Sequence, residues 1–207
     1  MDMRIGGILD MSTVDYPGKI ASVVFMHGCN FRCPFCHNKN LVKGDEYTEL
    51  SVKDVVDKLD LEFIDAVCIT GGEHTVQPRS LEELCREIKS LGILVKLDTN
   101  GSNPEFLEKL LEKGLLDYVS MDIKSPPGKY DKMSGISCSI DNIKRSLRSL
   151  CKSEVYFELR TTVVPGYNDS PEDVKNVCDF IKPAKNYVLQ QFRGKKGTLD
   201  DSFSKIP

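Results

Sequence analysis

Residues 23–38, VVFMHGCNFRCPFCHN, decide how this chain is read, because they set Cys29, Cys33 and Cys36 in a loop straight after an apolar, β-branched run. Sulfurs spaced in this way can turn towards one centre, and thiolates suit soft metals and iron–sulfur clusters. A structural zinc ion or an electron-carrying cluster takes four protein ligands, so a cluster held by three cysteines leaves one iron open to another molecule. An open iron implies chemistry at the metal. On spacing alone, a zinc site completed by His37 or by a distant residue is the alternative. Gly28, just ahead of the first cysteine, lets the backbone come close to whatever the sulfurs hold.

Outward from this loop the chain alternates between two periodicities. Residues 20–26, IASVVFM, form a short buried strand that places the cysteines at its C-terminal end. Further strands are expected over 66–70, 93–98, 118–123, 155–164 and 187–192. Helices are expected from Ser51, a capping residue ahead of Val52, Val55, Val56 and Leu59, and over 80–90, 103–113, 140–150 and 171–181. Six strands alternating with helices imply a parallel sheet with right-handed crossovers, whose ligands gather at the C-terminal ends of the strands. The last residues, GKKGTLDDSFSKIP, read as a polar, partly ordered arm over 193–207.

A chain of 207 residues suits a single domain, 1–207, with a substantial core. Its hydrophobic content of 40% and charged content of 29% are those of a soluble globular protein. A net charge of −3 argues against a general nucleic-acid surface, which needs clustered Lys and Arg. No run approaches the roughly 18 apolar residues of a membrane helix, and the opening MDMRIGGILD lacks a signal-peptide pattern, so the expected location is the cytoplasm. Of the eight cysteines, Cys68, Cys85, Cys138, Cys151 and Cys178 stand apart from one another and read as small apolar fillers.

The pattern Cys-x-x-x-Cys-x-aromatic-Cys, with Phe35 as the aromatic, resembles the signature of radical S-adenosylmethionine (SAM) enzymes. The longer string from Asp15 to Asn38, DYPGKIASVVFMHGCNFRCPFCHN, is similar to the activating enzymes of glycyl radical enzymes. Among them it most resembles the anaerobic ribonucleoside-triphosphate reductase activating proteins, with pyruvate formate-lyase activating enzymes as relatives. Further matches are Thr70-Gly71-Gly72-Glu73, Asp98-Thr99-Asn100-Gly101, Met121-Asp122-Ile123-Lys124 and residues 160–169, RTTVVPGYND. The resemblance implies an α/β fold, a partial (β/α)6 TIM-like barrel. It also implies a [4Fe–4S] cluster on Cys29, Cys33 and Cys36 whose open iron takes SAM. An electron from the cluster would then cleave the sulfonium to give methionine and a 5′-deoxyadenosyl radical. The implied partners are a glycyl radical enzyme as protein substrate and a flavodoxin or ferredoxin-type reductant, with neither nucleic acid nor membrane.

The same resemblance distributes roles along the chain. The backbone of Gly71, Gly72 and Glu73 would bind the methionine amino group. Asp98, Thr99 and Asn100 end one strand beside SAM, and Asp98 and Lys124 are the side chains assigned to catalysis, Lys124 neutralising carboxylate charge. A monovalent cation, potassium or sodium, would sit among Asp98, Thr99, Asp122 and the carbonyl of Ser120. Val164 would pack on adenine with Phe35 and Phe192 as further apolar walls, and the backbone of His37 and Asn38 would reach its edge. His74 stands where Pro or another small residue often follows the glutamate, and reads as a partly exposed loop histidine. His27 reads as structural. Whether Arg160 points into or out of the barrel depends on strand register. The rival readings are a small-molecule radical SAM enzyme such as 7-carboxy-7-deazaguanine synthase, and a zinc-binding interaction module.

Overall fold

The computed structural model of the protein describes residues 1–182, 184–194 and 197–206. Its frame is an eight-stranded sheet in the order β3-β1-β2-β4-β5-β6-β7-β8. The strands are β1 (Asp2–Ser12), β2 (Ala21–Met26), β3 (Thr48–Ser51), β4 (Ala66–Gly71), β5 (Leu94–Thr99), β6 (Tyr118–Asp122), β7 (Tyr156–Val163) and β8 (Tyr187–Gln191). From β2 to β8 every neighbouring pair is parallel, and these are the six strands expected from sequence. β3 and β8 do not pair with each other, so the barrel is partial, with an open side.

The helices are α1 (Lys39–Lys43), α2 (Val52–Asp57), α3 (Pro78–Ser90), α4 (Pro104–Glu112), α5 (Tyr130–Ser134), α6 (Ile140–Lys152) and α7 (Pro171–Phe180). Four of them start where a short polar side chain can take an orphan backbone N–H. Ser51 and Asp54 form a capping box on α2, while Asn103, Ser139 and Ser170 cap α4, α6 and α7. Each such cap stabilises its helix by about 1 kcal/mol. None of the helices among the described residues is long and apolar enough to cross a membrane.

Side chains alternate across each strand, so one sequence writes two surfaces. Val67 and Ile69 of β4, Val95 and Leu97 of β5, and Val119 and Met121 of β6 are fully buried on the face that packs against Leu81, Leu84, Ile88, Leu107 and Leu110 of the helices. The intervening residues share the other face. Cys68 pairs in register with Lys96, Asp98 with Ser120, Ser120 with Glu158, and Asp122 with Arg160. The core therefore lies outside the barrel wall, and the barrel interior is polar.

Two regions differ from the sequence expectation. β1 and β3 add an antiparallel pair outside β2 that the apolar pattern does not announce, because Gly6 and Gly7 interrupt it and β1 carries register shifts on either side of Gly7–Leu9. A Cβ on Gly6 would lie 2.0 Å from Cδ2 of Leu41, so a larger residue there would push that side chain aside. The polar tail, expected as a partly ordered arm, lies against the cysteine loop over 198–206. Leu199 donates its N–H to the Cys36 carbonyl and Asp200 to the Pro34 carbonyl, each at 2.9 Å, and buried Phe203 packs on Tyr167 with ring centres 4.6 Å apart.

Of the five isolated cysteines, Cys68 and Cys85 are buried fillers as expected, and Cys138 and Cys151 are partly buried. Cys178 corrects the expectation. It lies exposed on α7, where Val177 rather than Cys178 is buried in the core.

Candidate active site

At the C-terminal ends of the strands a cavity of about 260 Å³ brings together Cys29, Cys33 and Cys36 with Thr70, Gly71, Gly72, Glu73, Asp98, Thr99, Asn100, Asp122, Lys124 and Arg160. Five separate sequence motifs thus meet in one place. The cysteine loop between β2 and α1 has no regular structure of its own, so its shape depends on what grips it.

Several backbone contacts hold it. Gly28 donates to the Leu41 carbonyl at 2.8 Å and accepts from the Glu73 N–H at 2.7 Å, while Arg32 donates to the Ser134 carbonyl at 2.8 Å. The tail holds the carbonyls of Pro34 and Cys36 from the opposite side. A Cβ on Gly72 would lie 1.9 Å from the Gly28 carbonyl oxygen, so a glycine is needed here for the two loops to meet. The side chains add a second tie, in which Asn100 donates to Asn30 at 2.9 Å and Asn30 to the Ser102 hydroxyl at 2.7 Å.

Glu73 is 1% exposed and its carboxylate is fully engaged. It accepts from the Thr75 hydroxyl at 2.7 Å, the Thr99 hydroxyl at 3.0 Å and the Asn100 N–H at 2.7 Å. It therefore locks the end of β4 to the end of β5, leaving backbone rather than its carboxylate for a ligand.

The wall opposite is a charge network. Arg160 donates through Nε to Asp122 at 3.0 Å and through Nη1 to Asp98 at 3.3 Å, so its guanidinium bridges the two carboxylates. Lys124 donates to Asp122 at 2.8 Å, Thr70 donates to Asp98 at 3.1 Å, and the buried Lys96 also pairs with Asp98. Burial works against ionisation of Asp122, but Lys124 and Arg160 outweigh it and hold its carboxyl at about 2. Burial likewise opposes the charge of Lys124, and Asp122 with the Cys33 sulfur reverses that, so the ammonium titrates above its ordinary range.

The structure brings most of the expected site residues to the cavity wall, including Phe35 and Asn38. Phe192 stands behind that wall, 2% exposed, with His37 stacked on it at 5.4 Å and Phe35 edge-on at 6.5 Å. Val164 is fully buried in the chain's core, and Ser120, whose hydroxyl donates to Glu158 at 2.8 Å, is not among the residues lining the cavity. The Thr99 hydroxyl is occupied by Glu73. His74 corrects the sequence expectation, because it is fully buried rather than partly exposed. It opens a short 3-10 turn, His74–Val76, that tucks the ring inward behind Glu73. His27 is structural as expected, with Nε2 2.8 Å from the Gly44 carbonyl.

Sequence reading missed Arg160 as a site residue, together with Thr70 as a partner of Asp98, and Phe31, Val42 and Gln190 on the cavity wall. Parity was the available signal for Arg160. It lies two residues after Glu158 in a strand whose other face carries Phe157, Leu159 and Thr161.

The donor set fits an iron–sulfur cluster. Burial pushes the Cys29 thiol up to about 12, with the Glu73 carboxylate adding to it, and burial pushes Cys33 up to about 11 against the pull of Lys124. Thiolates in such surroundings need positive centres beside them, which irons supply. Among the described residues no three His, Cys, Asp or Glu side chains converge on the position of a single ion. Cys29, Cys33 and Cys36 all line the one cavity, and three cysteines are one ligand short of closing a four-iron cluster.

The comparisons agree with this reading. The radical SAM superfamily matches over residues 23–181. A protein of Methanocaldococcus jannaschii, provisionally described as a glycyl-radical enzyme activating enzyme, is 38% identical over 213 aligned residues, covering 100% of this chain and 87% of its own length. The pyruvate formate-lyase-activating enzyme of Listeria monocytogenes is 35% identical over 196 residues, which are 88% of this chain and 77% of that one. Among solved structures, a radical SAM methyltransferase from Sphaerobacter thermophilus superposes with a TM-score of 0.67 at 12% identity, covering 85% of this chain and 56% of that one. That likeness concerns the fold alone. With the family match spanning the three cysteines and the barrel behind them, the chain belongs to the radical SAM superfamily, enzymes that work with a [4Fe–4S] cluster and SAM.

Proposed function

We propose that the protein is an activating enzyme that places a glycyl radical on a partner enzyme, and that this partner is an anaerobic ribonucleotide reductase. The observation that carries the activase reading is the 38% identity that runs along the whole chain to a relative of that description. The reductase as partner rests on the resemblance of the string from Asp15 to Asn38. Relatives named for pyruvate formate-lyase make that enzyme the natural competitor in any test.

When bound, the cluster and SAM supply one electron and an acceptor for a hydrogen atom. The chain's residues do the holding. Cys29, Cys33 and Cys36 take three irons, and the backbone of Gly71 and Gly72 receives the amino group of SAM. Lys124 and Arg160 attract its carboxylate, which a cavity lined with Asp98 and Asp122 alone would repel. Phe35 and the His37–Asn38 backbone flank adenine, with Val164 and Phe192 as the packed layer behind. A potassium or sodium ion among Asp98, Thr99, Asp122 and the Ser120 carbonyl requires Arg160 to release one carboxylate, since it bridges both. A flavodoxin or ferredoxin-type protein delivers the electron, and the setting is an anaerobic cytoplasm.

The test is anaerobic reconstitution with iron and sulfide, followed by SAM, a reductant and either partner enzyme. A glycyl radical signal in electron paramagnetic resonance on the reductase, with 5′-deoxyadenosine and methionine released together, is the expected result. A signal on pyruvate formate-lyase alone reassigns the partner. SAM cleavage stimulated by a pterin, with no protein radical, replaces the activase reading with a small-molecule one.

A further inference from the structure

The last strand of the sheet, β8, is left open. Leu159 donates its N–H to the Asn186 carbonyl at 3.0 Å, and Phe192 donates to the Val163 carbonyl at 3.2 Å. Bonding residues alternate along a parallel ladder, so the backbone groups of Val188 and Gln190 face β7. Those of Tyr187, Leu189 and Gln191 point away from the sheet and have no backbone partner among the described residues.

Natural proteins blunt such edges with charges, prolines or bulges, because an open edge pairs with other chains. The opposite edge, β3, is four residues long and carries Glu49. β8, YVLQQ, has none of these devices, and Val188 is 41% and Leu189 49% exposed. Beside it runs a groove of about 360 Å³ lined by Val163, Pro165, Asp169, Leu189, Gln190 and Gln191. Gln190 also lines the active-site cavity, so this one residue borders both the groove and the cavity.

We propose that β8 is a docking edge, to which an extended glycine-containing segment of the partner enzyme adds as a further strand. Its backbone pairs with Leu189 and Gln191, and the groove leads it past Gln190 into the cavity. Main-chain pairing of this kind recognises an extended backbone while asking little of its side chains, which suits a substrate whose reacting residue has none. The segment's owner rests on the activase reading; the strand pairing is tested separately from it.

Leu189→Pro removes one outward N–H and keeps the ladder to β7, since proline is tolerated at a sheet edge. The probe is a synthetic peptide of about ten residues spanning the radical-bearing glycine of the reductase, long enough for one strand. It should slow hydrogen exchange at the amides of Leu189 and Gln191 in the SAM-loaded protein. Leu189→Pro should weaken its binding about five- to tenfold, the loss of one net hydrogen bond and its neighbour's alignment, with SAM cleavage in the absence of peptide unchanged. Leu189→Ala, which keeps the N–H, should bind more tightly than Leu189→Pro. If Leu189→Pro does not fold, peptides N-methylated at alternate residues carry the test against the wild-type chain, with one parity binding and the other not.

Equal affinity for both parities, or protection that leaves 189 and 191 exchanging freely, overturns the docking edge. So does a Leu189→Pro variant that turns a dimer into a monomer while binding peptide normally, because β8 then pairs with a second copy. A wild-type chain that cleaves SAM yet radicalises neither partner overturns the activase reading instead. A Leu189→Pro chain that activates the reductase with unchanged KM removes the docking edge alone.

Discussion

The two faces of the same strands obey different rules. On the outward face of β5, Val95 and Leu97 are fully buried against helices; on the inward face, Lys96 and Asp98 alternate with them and are tied into an ion-pair network. A parallel sheet covered on both faces normally reads as a continuous apolar run, and β2 approaches that. β5, β6 and β7 do not, because their inner face lines a polar cavity. Stability therefore resides outside the barrel wall and chemistry inside it, one residue apart.

The largest test of this separation is Cys33→Ala. The side chain belongs to a loop held by backbone contacts from Leu41, Glu73, Ser134 and the tail, so the fold should survive while one iron loses its ligand. Iron content should collapse and SAM cleavage should fall to background, with the thermal unfolding temperature within a few degrees of wild type. Unfolding of the barrel in parallel with iron loss would show that loop and core are not independent.

Leu97→Ala probes the other face. Removing a fully buried leucine leaves a cavity and should cost about 2–5 kcal/mol by denaturant unfolding. Its neighbours Lys96 and Asp98 point the other way, so iron content and SAM affinity of the folded fraction should be unchanged. A loss of SAM affinity matching the loss of stability would mean that strain crosses the wall.

Arg160→Met keeps the length of the side chain and removes its charge. Asp98 keeps Thr70 and Lys96, and Asp122 keeps Lys124, so the cost should be about 1–2 kcal/mol, below that of a fully buried pair broken outright. SAM should bind about tenfold more weakly, as one of two cations facing its carboxylate is gone. The pH dependence carries a sign. In the wild type, Asp122 is held at about 2 against an ordinary 3.8, so its contribution is present above 3.8 and is lost as pH falls towards 2. Without Arg160 the folded value rises towards 3.8 and that window narrows, so acid unfolding should begin at higher pH.

How much of this was legible beforehand follows from the same two faces. The alternation in LVKLDT and YVSMD spells both surfaces, and the motifs at the strand ends announced where the site lies. For Arg160 the parity of Phe157 and Leu159 gave its face, but its bridge between Asp98 and Asp122 depends on the pairing of β7 with β6, which lies outside the strand's own pattern. β1 was hidden by Gly6 and Gly7. The tail's grip on Pro34 and Cys36 is a contact between residues about 160 positions apart, outside the reach of periodicity.

The smallest expected effect, His74→Leu, addresses the boundary between the faces. His74 follows Glu73 in the chain yet is fully buried, and neither ring nitrogen has a hydrogen-bond partner among the described residues. Burial lowers its pKa below the ordinary 6.5, against the opposing pull of Glu73 and Asp98. The unfolded chain then takes up a proton that the folded one refuses, so stability falls as pH drops below about 6.5, by up to about 1.4 kcal/mol per pH unit. A leucine of similar size has no proton to refuse and no polar atom to leave unpaired. The variant should be as stable as wild type or about 1 kcal/mol more stable at neutral pH, and its stability should stay flat between pH 6.5 and 5.5 where that of the wild type slopes. SAM affinity should not change, because Glu73 is anchored by Thr75, Thr99 and Asn100 rather than by the imidazole. An unaltered slope would place the titrating group elsewhere, and a loss of SAM affinity would move His74 from the packing side of the wall to the chemical one.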